Sequence, residues 1–191
     1  VLAIGMTFVI LTRGIDLSVG SMMAFAAMVA ASFAVTDASL PLFVPLGLGL
    51  LAGLALGSIN GVMVARFAIP PFVMTLGMLS MGRGLTYIYS DGMPISSLSP
   101  GFLWLGQGSL AGIPVPVLLF AAVFVIAWFS LRYTAFGRYV YAVGGNPTAA
   151  RLSGIKVRRI IFSVYAISGL LCGLAGLMIA ARTSAALPQA G

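Results

Sequence analysis

Six apolar stretches, separated by short polar segments, account for most of this 191-residue chain. The first, Val1 to Thr12, would rise about 17 Å as a helix, too little for a hydrocarbon core of about 30 Å. It is expected to be the end of a longer helix. Five fuller stretches follow: Leu17–Val35, Leu42–Ala65, Ile69–Tyr89, Ala111–Leu131 and Ile160–Ala181. Each is close to the ~20 residues that span a bilayer. The chain is therefore expected to be an all-α, polytopic transmembrane bundle.

The polar interruptions differ in kind. Asp91 to Leu110 is rich in Gly, Ser and Pro and carries no cation. Arg132 to Arg159 holds Arg132, Arg138, Arg151, Lys156, Arg158 and Arg159 and no acid. Cytoplasmic loops carry an excess of Lys and Arg, so this loop is placed inside. Counting spans backwards puts Arg66 and Arg13 inside, Asp91 and Asp37 outside, and Asp16 at the inner edge. Arg83, within a span, and Arg182, at an outer end, do not follow the pattern. Inside the second full span, Gly49, Gly53, Gly57 and Gly61 recur every four residues, so they share one helical face and let a neighbouring backbone approach. Gly169 and Gly173 repeat the spacing in the last span.

Composition agrees with the pattern and removes several chemistries. Hydrophobic residues make up 61% and charged residues 7%, against about a quarter charged in a soluble domain. Mean hydropathy is +1.14. The net charge of +7 is accounted for by topology, and no nucleic-acid role is expected. There is no histidine, and the one cysteine, Cys172, lies in an apolar run. No metal site and no catalytic residue are expected. The single lysine, Lys156, follows no Gly-rich phosphate loop, so the chain is expected to hold no cofactor and not to be an enzyme.

Three segments are candidates for function. In the basic loop, Gly144-Gly145 interrupts a helix, Asn146 is a good N-cap, and Pro147 fits the first helical position. A short helix can run to Ser153, with Gly154 ending it in the left-handed conformation. It would present Ala149, Ala150 and Leu152 beside Arg151, either to a cytoplasmic partner protein or to anionic lipid headgroups. The second segment is Arg13 to Gly20. Gly14 is expected to stop one helix, Asp16 or Ser18 to cap the next, and Arg13 to offset the charge of Asp16. The segment is either plain capping or a helix break lining a transport route. The third is Arg83, between Gly82 and Gly84, which either snorkels outward or faces a wet cavity. Tyr87, Tyr89, Trp104 and Trp128 read as interface anchors.

Gly5-Met6-Thr7, then Gly14-Ile15-Asp16-Leu17-Ser18-Val19-Gly20-Ser21, resemble the permeases of bacterial ribose-type simple-sugar ABC importers, of the branched-chain amino-acid/sugar permease superfamily. So do Thr75-Leu76, Arg83-Gly84, Gly137-Arg138-Tyr139, Gly144-Gly145-Asn146 and Ala150-Arg151-Leu152-Ser153-Gly154-Ile155. The match runs in order along essentially the whole chain. Arg13 departs from it, standing where the family has a small residue.

The resemblance implies a fragment, truncated at both ends, of a roughly ten-span type II importer subunit. Residues 1–191 would form a single permease domain and 132–159 its cytoplasmic loop with a coupling helix. It implies a second permease subunit, identical or different, a cytoplasmic ATPase that binds the ATP, a periplasmic sugar-binding protein, and a multi-pass location in the bacterial inner membrane. Coupling would fall to Arg138, Gly144, Gly145, Asn146, Pro147, Ala149, Ala150, Arg151, Leu152, Ser153 and Gly154. The pathway or its helix break would involve Gly14, Asp16, Ser18 and Arg83. The solute would be a ribose-like monosaccharide or a related furanone. The alternative is an ATP-independent facilitator or ion-coupled carrier, which needs ionisable groups near mid-membrane.

Overall fold

The structure is a computed structural model that describes residues 1–36 and 40–191. Asp37 lies outside the described residues. In chain order the elements are α1 (Leu2–Leu11), α2 (Val19–Phe33), α3 (Phe43–Arg66), α4 (Pro71–Ser90) and α5 (Pro100–Gln107). A two-residue hairpin follows, β1 (Ser109–Leu110) and β2 (Ile113–Pro114), then α6 (Val115–Tyr133), α7 (Ala135–Gly145), α8 (Pro147–Leu152) and α9 (Val157–Thr183). By length and composition α3, α6 and α9 are fit to cross a membrane. α4 has 20 residues but carries Arg83, two tyrosines and several hydroxyls.

The chain is a polytopic helical membrane protein, but the span expected over Leu17–Val35 is not one helix. α2 has 15 residues and would rise about 22 Å. Residues 14–17 are outside any helix and, as extended chain, add about 13 Å at ~3.3 Å per residue, while Ser18 already has helical dihedrals (φ −89°, ψ 0°). Helix and strand-like segment together make up the crossing length.

α9 is the hub, packing on α1, α2, α3 and α5. Its contact with α3 is the most extensive in the bundle, and glycine is the cause. A Cβ on Gly57 would lie 2.7 Å from Gly169 Cα, one on Gly53 2.8 Å from Gly173 N, and one on Gly61 2.8 Å from Phe162 O. On Gly49 it would meet Ala30 Cβ and Leu177 Cδ2 at 2.9 Å. The two backbones therefore touch directly along three turns. α6, by contrast, leaves nearly all of its surface outside the bundle.

The ends of the helices sort by charge. At one end Val35 pairs with Leu98 and Ile95 with Ala186. There α5 closes over α9, Gln107 Nε2 donating to Ala181 O at 3.1 Å and Ser184 Oγ at 2.8 Å. At the other end lie the turns after α1, α3 and α6, with Arg13, Arg66, Arg132, Arg138, Arg151, Lys156, Arg158 and Arg159, eight of the ten cations. That asymmetry marks the second end as cytoplasmic. Thr148 and Ser96, both exposed, stand at opposite ends. In a full-length Cys172→Ala background, Ser96→Cys should react with an impermeant thiol reagent added to sealed cells, while Thr148→Cys should react only after lysis. The reverse labelling would invert the topology.

Candidate functional site

The cytoplasmic end holds a connected pair of features, a break before α2 and an elbow between α7 and α9. The break begins where α1 ends. Arg13 takes the left-handed conformation (φ 61°), and its amide donates to Ile10 O while that of Gly14 donates to Val9 O. The expected stop at Gly14 is thus one residue late. Gly14 is small for another reason: a Cβ there would sit 2.7 Å from Tyr165 Oη and 2.8 Å from Val9 Cγ1.

From Arg13 to Ser18 burial alternates, with Gly14, Asp16 and Ser18 inside and Arg13, Ile15 and Leu17 exposed. This is the period of extended chain. Extended backbone inside a bilayer must find partners within the protein, and here side chains supply them. Tyr165 Oη donates to Ile15 O at 3.2 Å. Asp16 Oδ1 accepts from the Ser18 amide at 3.0 Å and its hydroxyl at 2.6 Å, and Oδ2 accepts from Ser168 Oγ at 3.1 Å. Asn60 Nδ2 donates to Ser18 Oγ at 2.9 Å, while Asn60 Oδ1 has no partner among the described residues.

Three expectations are corrected by this geometry. Asp16 is fully buried rather than at the inner edge. Its partner Ser168 lies eleven residues into α9, about 16 Å along the helix. Arg13 does not pair with Asp16, because alternation turns the two side chains to opposite faces; its guanidinium donates to Gly145 O at 2.6 Å instead. Ser18 occupies the N-cap position of α2 without its side chain accepting from that helix, since Asp16 and Asn60 engage the hydroxyl. Asp16 and Ser18 therefore face the protein interior, and the open face of the break is Ile15 and Leu17. Asn60, Ser168 and Tyr165 were not singled out from the sequence. The available signal was Asn60, an amide between Gly57 and Gly61 in a span whose other uncharged polar side chain is Ser58.

At the elbow, α7 runs through Gly145, and the interruption falls at Asn146, which is extended (φ −153°, ψ 103°). Gly144 is needed for proximity, because a Cβ would overlap Leu11 O. Asn146 Oδ1 accepts from the amides of Thr148 at 3.0 Å and Ala149 at 3.1 Å. The far end of α8 closes with Gly154 at φ 85°. Ile155 N donates to Ala150 O and Gly154 N to Arg151 O, both at 3.0 Å, the paired bonds of a Schellman stop.

This stop turns Ala150 inward. It is buried with Val140, Val143, Val157 and Ile160, and Ile155 packs beside it. Ala150 is thus not presented to a partner, as the sequence suggested, but anchors the elbow to the core. The face left outside is Ala149, Arg151 and Leu152, the last 85% exposed. Arg138 is exposed on α7. Arg83 is exposed on α4, its guanidinium donating to Gly191 O, and lies apart from both features. The apolar cleft between α1, α3, α6 and α9, about 380 Å³, has Ser130 as its one polar lining residue and offers a polar solute few partners. No group of metal-ligating side chains occurs among the described residues.

The model of a family described as branched-chain amino acid transport system / permease component matches residues 1–191. The ribose import permease protein of Haemophilus influenzae is 46% identical over 195 residues, covering 100% of this chain and 60% of the relative. That of Bacillus subtilis is 44% identical over 192 residues, covering 100% of this chain and 59% of the relative. The galactofuranose transporter permease protein of Escherichia coli is 42% identical over 182 residues, covering 94% and 52%. The chain spans about 60% of the length of the ribose permeases it matches. No solved structure matches it.

Proposed function

The chain belongs to the branched-chain amino acid transport system / permease component family, and from that membership we propose that it is the larger part of the membrane subunit of a bacterial ATP-driven sugar importer. The relatives are named for ribose import and for galactofuranose, D-allose and L-arabinose transport, so the solute class is a monosaccharide. The subunit resides in the inner membrane and pairs with a second permease. It performs no bond chemistry and binds no cofactor itself; ATP is bound by a partner ATPase, and a periplasmic binding protein delivers the sugar.

The observation that carries this reading is α8. A helix of six residues has no stability of its own in water, yet here it is capped at both ends, anchored through Ala150, and left with Leu152 almost wholly in solvent. A connector needs none of these features. A helix that receives the movement of a cytoplasmic motor needs a rigid seat and an apolar tip. Arg13, hydrogen-bonded to Gly145 O, ties that seat to the break before α2, so displacement of α8 acts on the extended segment.

The competing reading is an ion-coupled carrier, and one observation speaks for it: Asp16 is a carboxylate buried within the bundle. Its three hydrogen-bond donors, however, leave it satisfied without a coupling ion. Reconstitution separates the two. In sealed vesicles, the full-length permease with its ATPase and binding protein should accumulate labelled ribose only with internal ATP. Accumulation driven by a proton or sodium gradient without the ATPase would refute the importer reading.

A further inference from the structure

Arg66 and, some ninety residues later in sequence, the pair Arg158 and Arg159 converge at the cytoplasmic ends of α3 and α9. Arg66 closes α3, and Arg158 and Arg159 lie in the first turn of α9. With Val62, Ala65 and Phe162 they line a cleft of about 220 Å³. All three arginines are exposed. Among the described residues, the arginines whose guanidinium groups hydrogen-bond to the chain are Arg13 and Arg83, not these three. Asp16 is engaged inside the bundle, and Asp91 lies at the opposite end. The cluster therefore has no counter-charge among the described residues.

Its height and its walls narrow what could supply one. The arginines sit where two spanning helices leave the apolar core, at the level of lipid headgroups. Directly beneath them, Val62 and Phe162 are 37% and 36% exposed and continue the cleft along the apolar surface. A guanidinium fork matches phosphate oxygens bidentately, and the apolar wall matches an acyl chain. We propose that this cleft binds an anionic phospholipid of the cytoplasmic leaflet, its phosphate held by Arg66, Arg158 and Arg159 and its chain lying along Val62 and Phe162. The proposal rests on the sidedness of the bundle and is independent of what the subunit transports.

The test is native mass spectrometry of the full-length permease in mild detergent, titrated with phosphatidylglycerol or phosphatidylcholine. Each cation near an anionic lipid surface contributes roughly a fivefold factor. Phosphatidylglycerol should therefore be retained at least tenfold better than phosphatidylcholine. R66Q/R158Q/R159Q should lose about a hundredfold, three such factors multiplied. R66K/R158K/R159K, which keeps the charge and loses the fork, should fall between wild type and the triple glutamine variant, and Arg132→Gln, outside the cleft, should keep all of the binding. Glycerol 3-phosphate should not displace the lipid at equal concentration, since it lacks the chain. Equal retention of the two lipids, undiminished phosphatidylglycerol binding in the triple glutamine variant, or displacement by glycerol phosphate would each overturn the proposal. So would a triple variant that loses its ATPase but keeps its lipid, which would assign the arginines to the partner protein. If the triple variant does not fold, single glutamine substitutions are read instead, and no loss above twofold in any of them overturns it.

Discussion

Leu152→Asp is expected to separate the permease from its ATPase, or to uncouple ATP hydrolysis from uptake, without disturbing the helical bundle. Leu152 is 85% exposed, so it contributes almost nothing to the stability of its own chain. Buried against a partner, a leucine contributes about 1.5–3 kcal/mol. An aspartate there forfeits that amount and adds the cost of desolvating a charge. The sum exceeds about 3 kcal/mol, more than a hundredfold in affinity. Asn146→Ala should act more weakly, by about 1 kcal/mol, through the lost cap. Ala150→Asp provides the contrast: Ala150 is buried, so this change should damage the fold itself and lower membrane abundance. The measurements are co-purification of the ATPase and binding-protein-stimulated hydrolysis in full-length complexes. A Leu152→Asp complex that assembles, hydrolyses and imports normally would reduce α8 to a connector.

Asp16→Leu is expected to be the most damaging single change to stability. It removes the acceptor of the Ser18 amide, the Ser18 hydroxyl and the Ser168 hydroxyl. A buried donor left unpaired costs about 1–3 kcal/mol, and three donors are stranded where water does not reach. Rotation of the two hydroxyls recovers part of this, but the Ser18 amide cannot turn. Asp16→Asn keeps one carboxamide oxygen for that amide and presents an NH₂ to the Ser168 hydroxyl, which is free to accept. It should therefore be far milder. Thermal unfolding of full-length protein in detergent gives the comparison. If Asp16→Leu melts with wild type, the carboxylate does not hold the break together.

Much of this was legible in the residues because the physics was local. The caps of α8 follow from Asn-Pro and a glycine seven residues after Pro147, and both act within one turn. The four-residue glycine spacing likewise announces a face. What was not legible depends on elements far apart in sequence. Asp16 was placed at the membrane edge because its neighbours along the chain suggested an interfacial turn. Its depth is set by Ser168 and, through Ser18, by Asn60, 152 and 44 residues away in sequence. Ala150 was assigned outward because helical spacing alone does not say which side of a six-residue helix meets the core. That is decided by Ile155, folded back by the Schellman stop. The break itself was expected at Gly14 to Ser18, but Leu17 and Ser18 were counted into the following helix, and the hydroxyls of Thr75 on α4 and Tyr165 on α9 that donate to Ile15 O lie 60 and 150 residues away in sequence.

The glycine seam between α3 and α9 has a mechanical corollary. Side chains that interdigitate have alternative rotamers, and a pair of helices packed through them can slip from one set to another. Where backbone rests on backbone, as at Gly53, Gly57, Gly169 and Gly173, there is nothing to reshuffle. Sliding by a single residue would drive a Cβ into a peptide group. Any alternation between outward-open and inward-open shapes must therefore carry α3 and α9 as one solid member. The moving joints are left to the weakly covered parts around it: the extended segment before α2, and α6, which the bundle barely grips.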